Sequence, residues 1–368
     1  MSGVDRIERV ARAGLTRVCE PDDIDMRILL ATVGPVDTWC RLVVGDVSGP
    51  LAARTRARVE AARPDADLQA ITALRGRLLC PGDAEWPVSL DDLPAPPVAL
   101  WVRGRGDLAA LAHRSVAVVG SRAATSYGMT IAADLSAGLA DLGWHTVSGG
   151  AYGIDAAAHR GSLAAGGTTV AVLACGVDVP YPRGHDALFS AILASGVVLS
   201  EWPPGCAPMR HRFLTRNRVI AALGRGTVVV EAAVRSGALR TARDADTIGR
   251  PVMAVPGPVT SAMSAGCHEL LRREGTICVT RPEEIIEAVG RIGDDLAPAL
   301  FGPELIRDTL SAEVSRVLDA VPARRPATTD AIVRTSGLAP SSVRPALGAL
   351  VAAGLVERVD GAYRQSAQ

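Results

Sequence analysis

The chain has 368 residues, 48% of them hydrophobic and 21% charged, which suggests more than one buried core. Its formal net charge is +0, so the molecule as a whole is not a general polyanion binder. It contains no lysine, and all 39 basic residues are arginine. That excludes Schiff-base chemistry and a P-loop lysine, and leaves arginine, backbone N–H and hydroxyl groups to hold any phosphate. The 7 cysteines are scattered without a Cys-x-x-Cys pair, and the 6 histidines show no metal-ligand spacing. Neither a metal site nor a disulfide framework is expected. No apolar run is long enough to span a bilayer, and Met1–Val10 is charged and lacks a signal-peptide core. A soluble, cytoplasmic protein without membrane contact is expected.

Residues 1–75 read as a small helical domain. Ile7–Ala13 and Met26–Leu30 have helical apolar spacing, Gly34-Pro35 breaks it, and Ala52–Ala62 is a further helix. The turn at Leu30–Pro35 suggests a SAM or helix-hairpin-helix layout. Residues 76–114 form a proline-rich extended bridge, with Trp86 and Trp101 pinning it against the next domain. From 115 to 290, apolar runs at 115–119, 169–173, 197–199, 227–230, 252–255 and 277–279 alternate with helical stretches, and a further apolar turn leads into Val147. Uniformly apolar strands alternating with helices imply a parallel sheet covered on both faces. The fold class is therefore α/β, a Rossmann-like doubly wound, mostly parallel sheet. Residues 291–310 read as a linker. Residues 311–368 read as a winged helix: three helices, then a hairpin turning at Asp360-Gly361. Pro345 fits the third helix if Ser341 or Ser342 is its N-cap.

The chemistry concentrates at strand ends. Val119-Gly120-Ser121-Arg122 and Val147-Ser148-Gly149-Gly150-Ala151-Tyr152-Gly153-Ile154-Asp155 each read as strand, Gly/Ser turn and helix start. Such turns present backbone N–H groups to an anion, and Arg122 adds a planar charged fork suited to phosphate. The first turn is not Gly-x-Gly-x-x-Gly, so a dinucleotide cofactor is not supported, and no cofactor is expected. Asp155 reads as a loop-bracing group. The block 205–250 holds nine arginines against three acids, densest at Arg216-Asn217-Arg218. Ser236-Gly237-Ala238-Leu239-Arg240-Thr241-Ala242 is another Gly/Ser turn opening a helix. Ser121 lacks a nucleophile-elbow pattern and Glu231 has no carboxylate partner, so no catalytic residue is expected.

Together these motifs resemble the bacterial DNA-processing protein family DprA/Smf. The ordered set also includes Ala174–Asp178, Tyr181-Pro182, Ser200–Gly205, Val229–Ala232, Val255-Pro256-Gly257 and Gly266-Cys267. The resemblance implies a non-enzymatic protein that binds and protects single-stranded DNA and loads the RecA recombinase during natural transformation, acting as a homodimer through its Rossmann-like domain. Carried over by position, Gly120, Ser121 and Arg122 form the floor of a DNA phosphate pocket. Ser148, Gly149, Gly150 and Gly153 lie beside it, with Gly237 and Thr241 at the last turn. Arg183 stands where a basic residue often contacts DNA in the family, and Arg216, Asn217 and Arg218 extend the track. Arg240, His268 and His185 depart from the family pattern.

Two rival classes remain. A Rossmann-like nucleotide enzyme, such as a nucleoside-monophosphate phosphoribohydrolase, would carry Pro-Gly-Gly-x-Gly-Thr-x-x-Glu, which is absent. A transcription regulator would read duplex DNA through the third winged-helix helix, where Arg344 is the one clear phosphate ligand. The low aromatic content, 3%, argues against long base-stacking platforms.

Overall fold

The computed structural model of the chain describes residues 4–291, 293, 295–299 and 306–366. It divides into two compact units, Met1–Ala297 and Pro298–Gln368. The expected linker 291–310 falls in part outside the described residues.

The first unit opens with four helices: α1 (Arg6–Val18), α2 (Ile24–Val44), α3 (Gly49–Ala61) and α4 (Pro64–Ala73). Asp5 and Asp23 cap α1 and α2 by accepting from Glu8 N and Met26 N. Gly34, at φ 78° and ψ 171°, kinks α2 just before Pro35, where the sequence breaks its pattern. Leu15, Met26, Leu42 and Leu51 close a small core between these helices. No single helix among the described residues is long and apolar enough to cross a membrane.

The proline-rich segment contributes more than a bridge. It supplies β1 (Gly76–Leu79) and β2 (Leu100–Gly104), which pair antiparallel with each other. Trp86 and Trp101 are both buried, and Trp101 Nε1 donates to Thr16 Oγ1 of α1 at 3.1 Å. After α5 (Leu108–His113) the chain alternates strand and helix: β3 (Ser115–Val119), α6 (Ser126–Asp141), β4 (His145–Ser148), α7 (Ile154–Ala164), β5 (Thr169–Leu173), α8 (Asp186–Ser195) and β6 (Val197–Ser200). It continues with α9 (Arg210–Leu223), β7 (Thr227–Val229), α10 (Ala238–Thr247), β8 (Val252–Ala254), α11 (Ala265–Leu271), β9 (Thr276–Cys278) and α12 (Pro282–Val289).

The nine strands form one sheet in the order β1-β2-β6-β5-β4-β3-β7-β8-β9. It is parallel from β6 to β9, and β2 joins β6 antiparallel. Alternate residues of β3 serve opposite cores. Ala117 and Val119 pack with Val219, Ile220 and Leu239 on one face, while Val116 and Val118 pack with Leu135, Leu139 and Ile154 on the other. Burial on both faces explains why the strands read as unbroken apolar runs. The strand order reverses between β3 and β7. That makes the carboxyl edge beside β3 the topological switch point, where open α/β sheets form a crevice.

In the second unit, α13 (Ala312–Ala320), α14 (Thr329–Ser336) and α15 (Pro340–Ala352) precede a hairpin of β10 (Val356–Val359) and β11 (Ala362–Gln365). Val317, Ile332, Val343, Leu347, Leu350 and Val356 are its core. Val359 pairs with Ala362, so the loop is Asp360-Gly361, at φ 50° and 80°. Two positive φ values in a two-residue loop are the mark of a type I′ turn. The expectation for α15 needs correction. Ala339 is the N-cap and Pro340 takes the first helical position, so Pro345 lies inside the helix, on its exposed side.

Helices α6 and α7 approach each other backbone to backbone at Gly161. A Cβ on Gly161 would come within 2.6 Å of Ala133 Cα and meet its carbonyl. Gly161→Ala must therefore push two backbones apart, and is expected to cost about 1–3 kcal/mol, the usual penalty of overpacking. Thermal unfolding of the variant checks this, and an unchanged midpoint would contradict so tight an α6–α7 contact.

Candidate nucleic-acid interface

A cleft of about 570 Å³ opens at the switch point. Gly120 and Arg122 line it after β3, Ala151 and Asp155 after β4, and Tyr181 after β5. Arg210, Phe213, Leu214, Arg216 and Asn217 of α9 form one wall, with Ser236, Gly237, Ala238 and Thr241 at the start of α10.

The two turns foreseen in the sequence are bonded to each other. Ile154 N donates to Ser121 O at 3.2 Å, and Ser121 N donates to Glu231 O at 2.7 Å. Ser121 is buried beside Met263, with its hydroxyl 3.6 Å from the Met263 Sδ. Ser148 is buried too and donates to Val118 O at 2.7 Å. Neither hydroxyl is turned to the cleft as an open donor. Glu231 has a structural partner: Thr125 Oγ1 donates to it at 2.6 Å and Thr125 N at 2.9 Å, which fixes the start of α6.

The arginines divide by burial. Arg122 is exposed, and its guanidinium sits 4.8 Å over the Phe213 ring. Arg210 is exposed at the first position of α9. Neither makes an ion pair with a described residue. Arg216 is only 4% exposed. It donates to Gly149 O at 2.9 Å and also to Val172 O, so it ties the ends of β4 and β5 to α9. A Cβ on residue 149 would sit 2.5 Å from Arg216 Nη1, so only glycine leaves room there. Burial drives the Arg216 guanidinium down to about 10, against the pull of the neighbouring Asp155. The same burial raises Asp155 above the usual carboxylate range, with Arg216 and Ala151 N opposing it. Ala151 N donates to Asp155 at 3.3 Å, so this carboxylate braces the loop.

Arg218 is not among the cleft-lining residues. It pairs with the buried Glu201 after β6, whose carboxyl burial pushes up against the pull of Arg218. Asn217 Nδ2 donates to Gly237 O at 3.3 Å and joins α9 to the turn before α10. Arg183 is exposed in the loop beyond Tyr181 and also lies outside the lining. Gly150 and Gly153 take left-handed φ of 68° and 76° in the second turn. Thr241 is buried at the cleft's far side.

Two features of the rim escaped the sequence. Arg210 is hidden in a run of nine arginines by position alone. Tyr181 and Phe213, 32 residues apart, place ring centroids 5.3 Å from each other at the cleft mouth. Nearby, the ring of His185 lies 4.6 Å from Tyr152, and its Nδ1 is 3.0 Å from Gly150 O. His185 thus braces the second turn. Of the other departures, Arg240 is exposed and pairs with Asp244 at 3.1 Å, and His268 Nε2 lies 3.0 Å from Gly257 O. Among the described residues, no cluster of three His, Cys, Asp or Glu side chains could hold a metal ion.

A family model described as DNA recombination-mediator protein A matches residues 77–290, and one described as an IclR helix-turn-helix domain matches residues 314–360. The chain is 48% identical over 371 residues to DNA processing protein DprA of Mycobacterium tuberculosis, covering 97% of this chain and 95% of that one. The solved structure of DprA from Streptococcus pneumoniae superposes with a TM-score of 0.65 at 30% identity, over 79% of this chain and 100% of that chain. A solved structure of DNA processing protein A from Helicobacter pylori, described for its single-stranded DNA binding mode, superposes with a TM-score of 0.51 at 29% identity. It covers 55% of this chain and 91% of that chain. The chain belongs to the DNA recombination-mediator protein A family, DprA/Smf.

The burial of Arg216 separates structure from contact. Arg216→Met leaves two buried carbonyls without their donor and the buried Asp155 without its neighbouring positive charge, and is expected to cost about 3–5 kcal/mol of stability. Arg122→Met, at an exposed site, should stay within about 0.5 kcal/mol of the wild type. Denaturant unfolding compares them. Equal stability of the two variants would contradict the buried role of Arg216.

Proposed function

We propose that this DprA/Smf family member binds single-stranded DNA in the cleft beside β3 and delivers the strand to a RecA-type recombinase. The observation that carries the first part is that two exposed guanidinium groups and two aromatic rings line one cleft at the sheet's switch point. Arg122 and Arg210 offer forks for successive phosphates, and the exposed ring of Tyr181, packed against Phe213, offers a face to an unpaired base. A duplex hides its base faces in the stack, so an arrangement of charge plus rings favours a single strand. Phosphate contact carries no base information, so binding is largely blind to sequence and steep in salt. Gly120, Ser121, Ser148, Gly149, Gly150 and Gly153 act in this reading through the shape of the two turns. Gly237 and Thr241 close the far side, and Arg183 lies where a longer strand would pass.

Recombinase delivery, and a role in natural transformation, rest on family membership. A strand held by phosphates and a few rings leaves its remaining base edges free for a filament-forming protein. Assembly of recombinase filaments on the strand, with and without this chain, tests that step.

Arg122→Ala is expected to weaken binding of a fluorescent oligo-dT by about 1–3 kcal/mol, the cost of a lost charge-assisted contact. It should also lower the slope of log K against log salt by about 0.7, one phosphate on a single strand. Anisotropy titrations at several salt concentrations read both. A wild-type chain that ignores the oligonucleotide at low salt would overturn the DNA reading.

A further inference from the structure

We propose that Glu20, just beyond α1, is a positioning residue for the DNA cleft, through which the N-terminal helices hold the cleft wall in its binding geometry. This rests on the reading of the cleft as a single-stranded DNA site. The wall is the segment 203–209 and the first turns of α9, and it presents Pro208, Arg210, Phe213 and Leu214 to the cleft.

Left to itself, that helix start is poorly made. Met209 is its N-cap and offers no side-chain acceptor, and the first turn contains no acid. Instead it carries Arg210, His211 and Arg212, all at the positive end of the helix dipole. A compensating negative charge must come from elsewhere in the chain, and Glu20 supplies it. Arg212 donates to both Glu20 oxygens, from Nη2 at 2.7 Å and from Nε at 3.2 Å. His211 Nε2 lies 3.6 Å from the same carboxylate. Trp202 Nε1 donates to it at 3.3 Å, and the Arg212 guanidinium stacks 5.1 Å over the Trp202 ring. Arg58 of α3 donates to it at 3.3 Å from the helical side. Burial pushes Glu20 up, but Arg212, Trp202 and Arg58 outweigh it and hold the carboxyl below its usual range.

A second clamp holds the preceding loop. Arg17 of α1 is fixed by both oxygens of Asp67 on α4, at 2.6 and 2.7 Å, and donates to Pro204 O at 2.9 Å. The helical segment therefore reaches the wall at two points, one on the loop and one on the helix start.

The sign of the effect distinguishes positioning from plain electrostatics. Glu20→Gln removes a negative charge near a polyanion site, so Coulomb's law alone predicts tighter DNA binding. Positioning predicts weaker binding, because Arg212 is released and Arg210 and Phe213 lose their place. The test titrates fluorescent oligo-dT against the full chain at moderate salt. Glu20→Gln should weaken binding roughly threefold to tenfold, within the range by which members of one network couple. In an Arg210→Ala background the same change should cost less than about twofold, since the misplaced contact is already gone. Asp67→Asn loosens the second clamp, also by removing a negative charge, and should weaken binding in the same direction; it decides the matter if Glu20→Gln does not fold. Wild-type binding with unchanged or tighter binding in the variants overturns the proposal alone. A wild-type chain that does not bind the oligonucleotide overturns the DNA reading and this proposal with it.

Discussion

The cleft depends on one buried cation. Arg216 extends from α9, lines the cleft and donates hydrogen bonds to the carbonyls of Gly149 and Val172. Those carbonyls end neighbouring strands, and a carbonyl at a strand end has no partner unless something reaches it. A guanidinium suits the task because it keeps its charge under burial and carries five donors in a fixed fork. Asp155 supplies the opposite charge and also holds the loop through Ala151 N. Strand ends, loop and helix are thus fixed by one set of bonds, and the absence of a side chain on residue 149 makes space for it.

Around that fixed floor, α9 sorts its cations by direction. Arg216 points into the protein and builds the site. Arg218 points to Glu201 and away from the cleft. Arg212 points to Glu20 and joins the wall to the helical segment. Arg210 stays exposed at the first turn, near the Phe213 ring under Arg122. A charge that is buried and bonded shapes a site, whereas one exposed beside an aromatic face can exchange water for a phosphate at small cost. Four arginines within nine residues therefore serve four separate ends.

Much of the fold was legible because burial on both faces writes itself into the chain as apolar runs. Val116 to Val119 cannot face water on either side, and the sequence there contains no polar residue. The Asp360-Gly361 turn was legible for a local reason, since few residue pairs accept two positive φ values. The strands β1 and β2 were less so: Leu100–Val102 read as part of an extended, tryptophan-pinned bridge, and membership of the sheet is decided by the partner β6. The turns at Gly120 and Gly149 were found from glycine spacing. The division of labour among Arg210, Arg212, Arg216 and Arg218 was not, because helix direction and the positions of Glu20 and Glu201 settle it, and neither acid lies on α9. The Tyr181–Phe213 pair escaped for the same reason, and composition concealed it further: a chain with 3% aromatic residues can still gather several at one cleft.

A bound single strand should lie in the switch-point cleft of the first unit. Hydrogen exchange of the full chain, with and without saturating oligo-dT, tests it most directly, because it locates contact without altering a residue. Binding in the cleft should slow exchange in the turns at 120–125 and 150–153 and in the wall at 208–214. Protection confined to the second unit, 312–366, with those three segments unchanged, would contradict it.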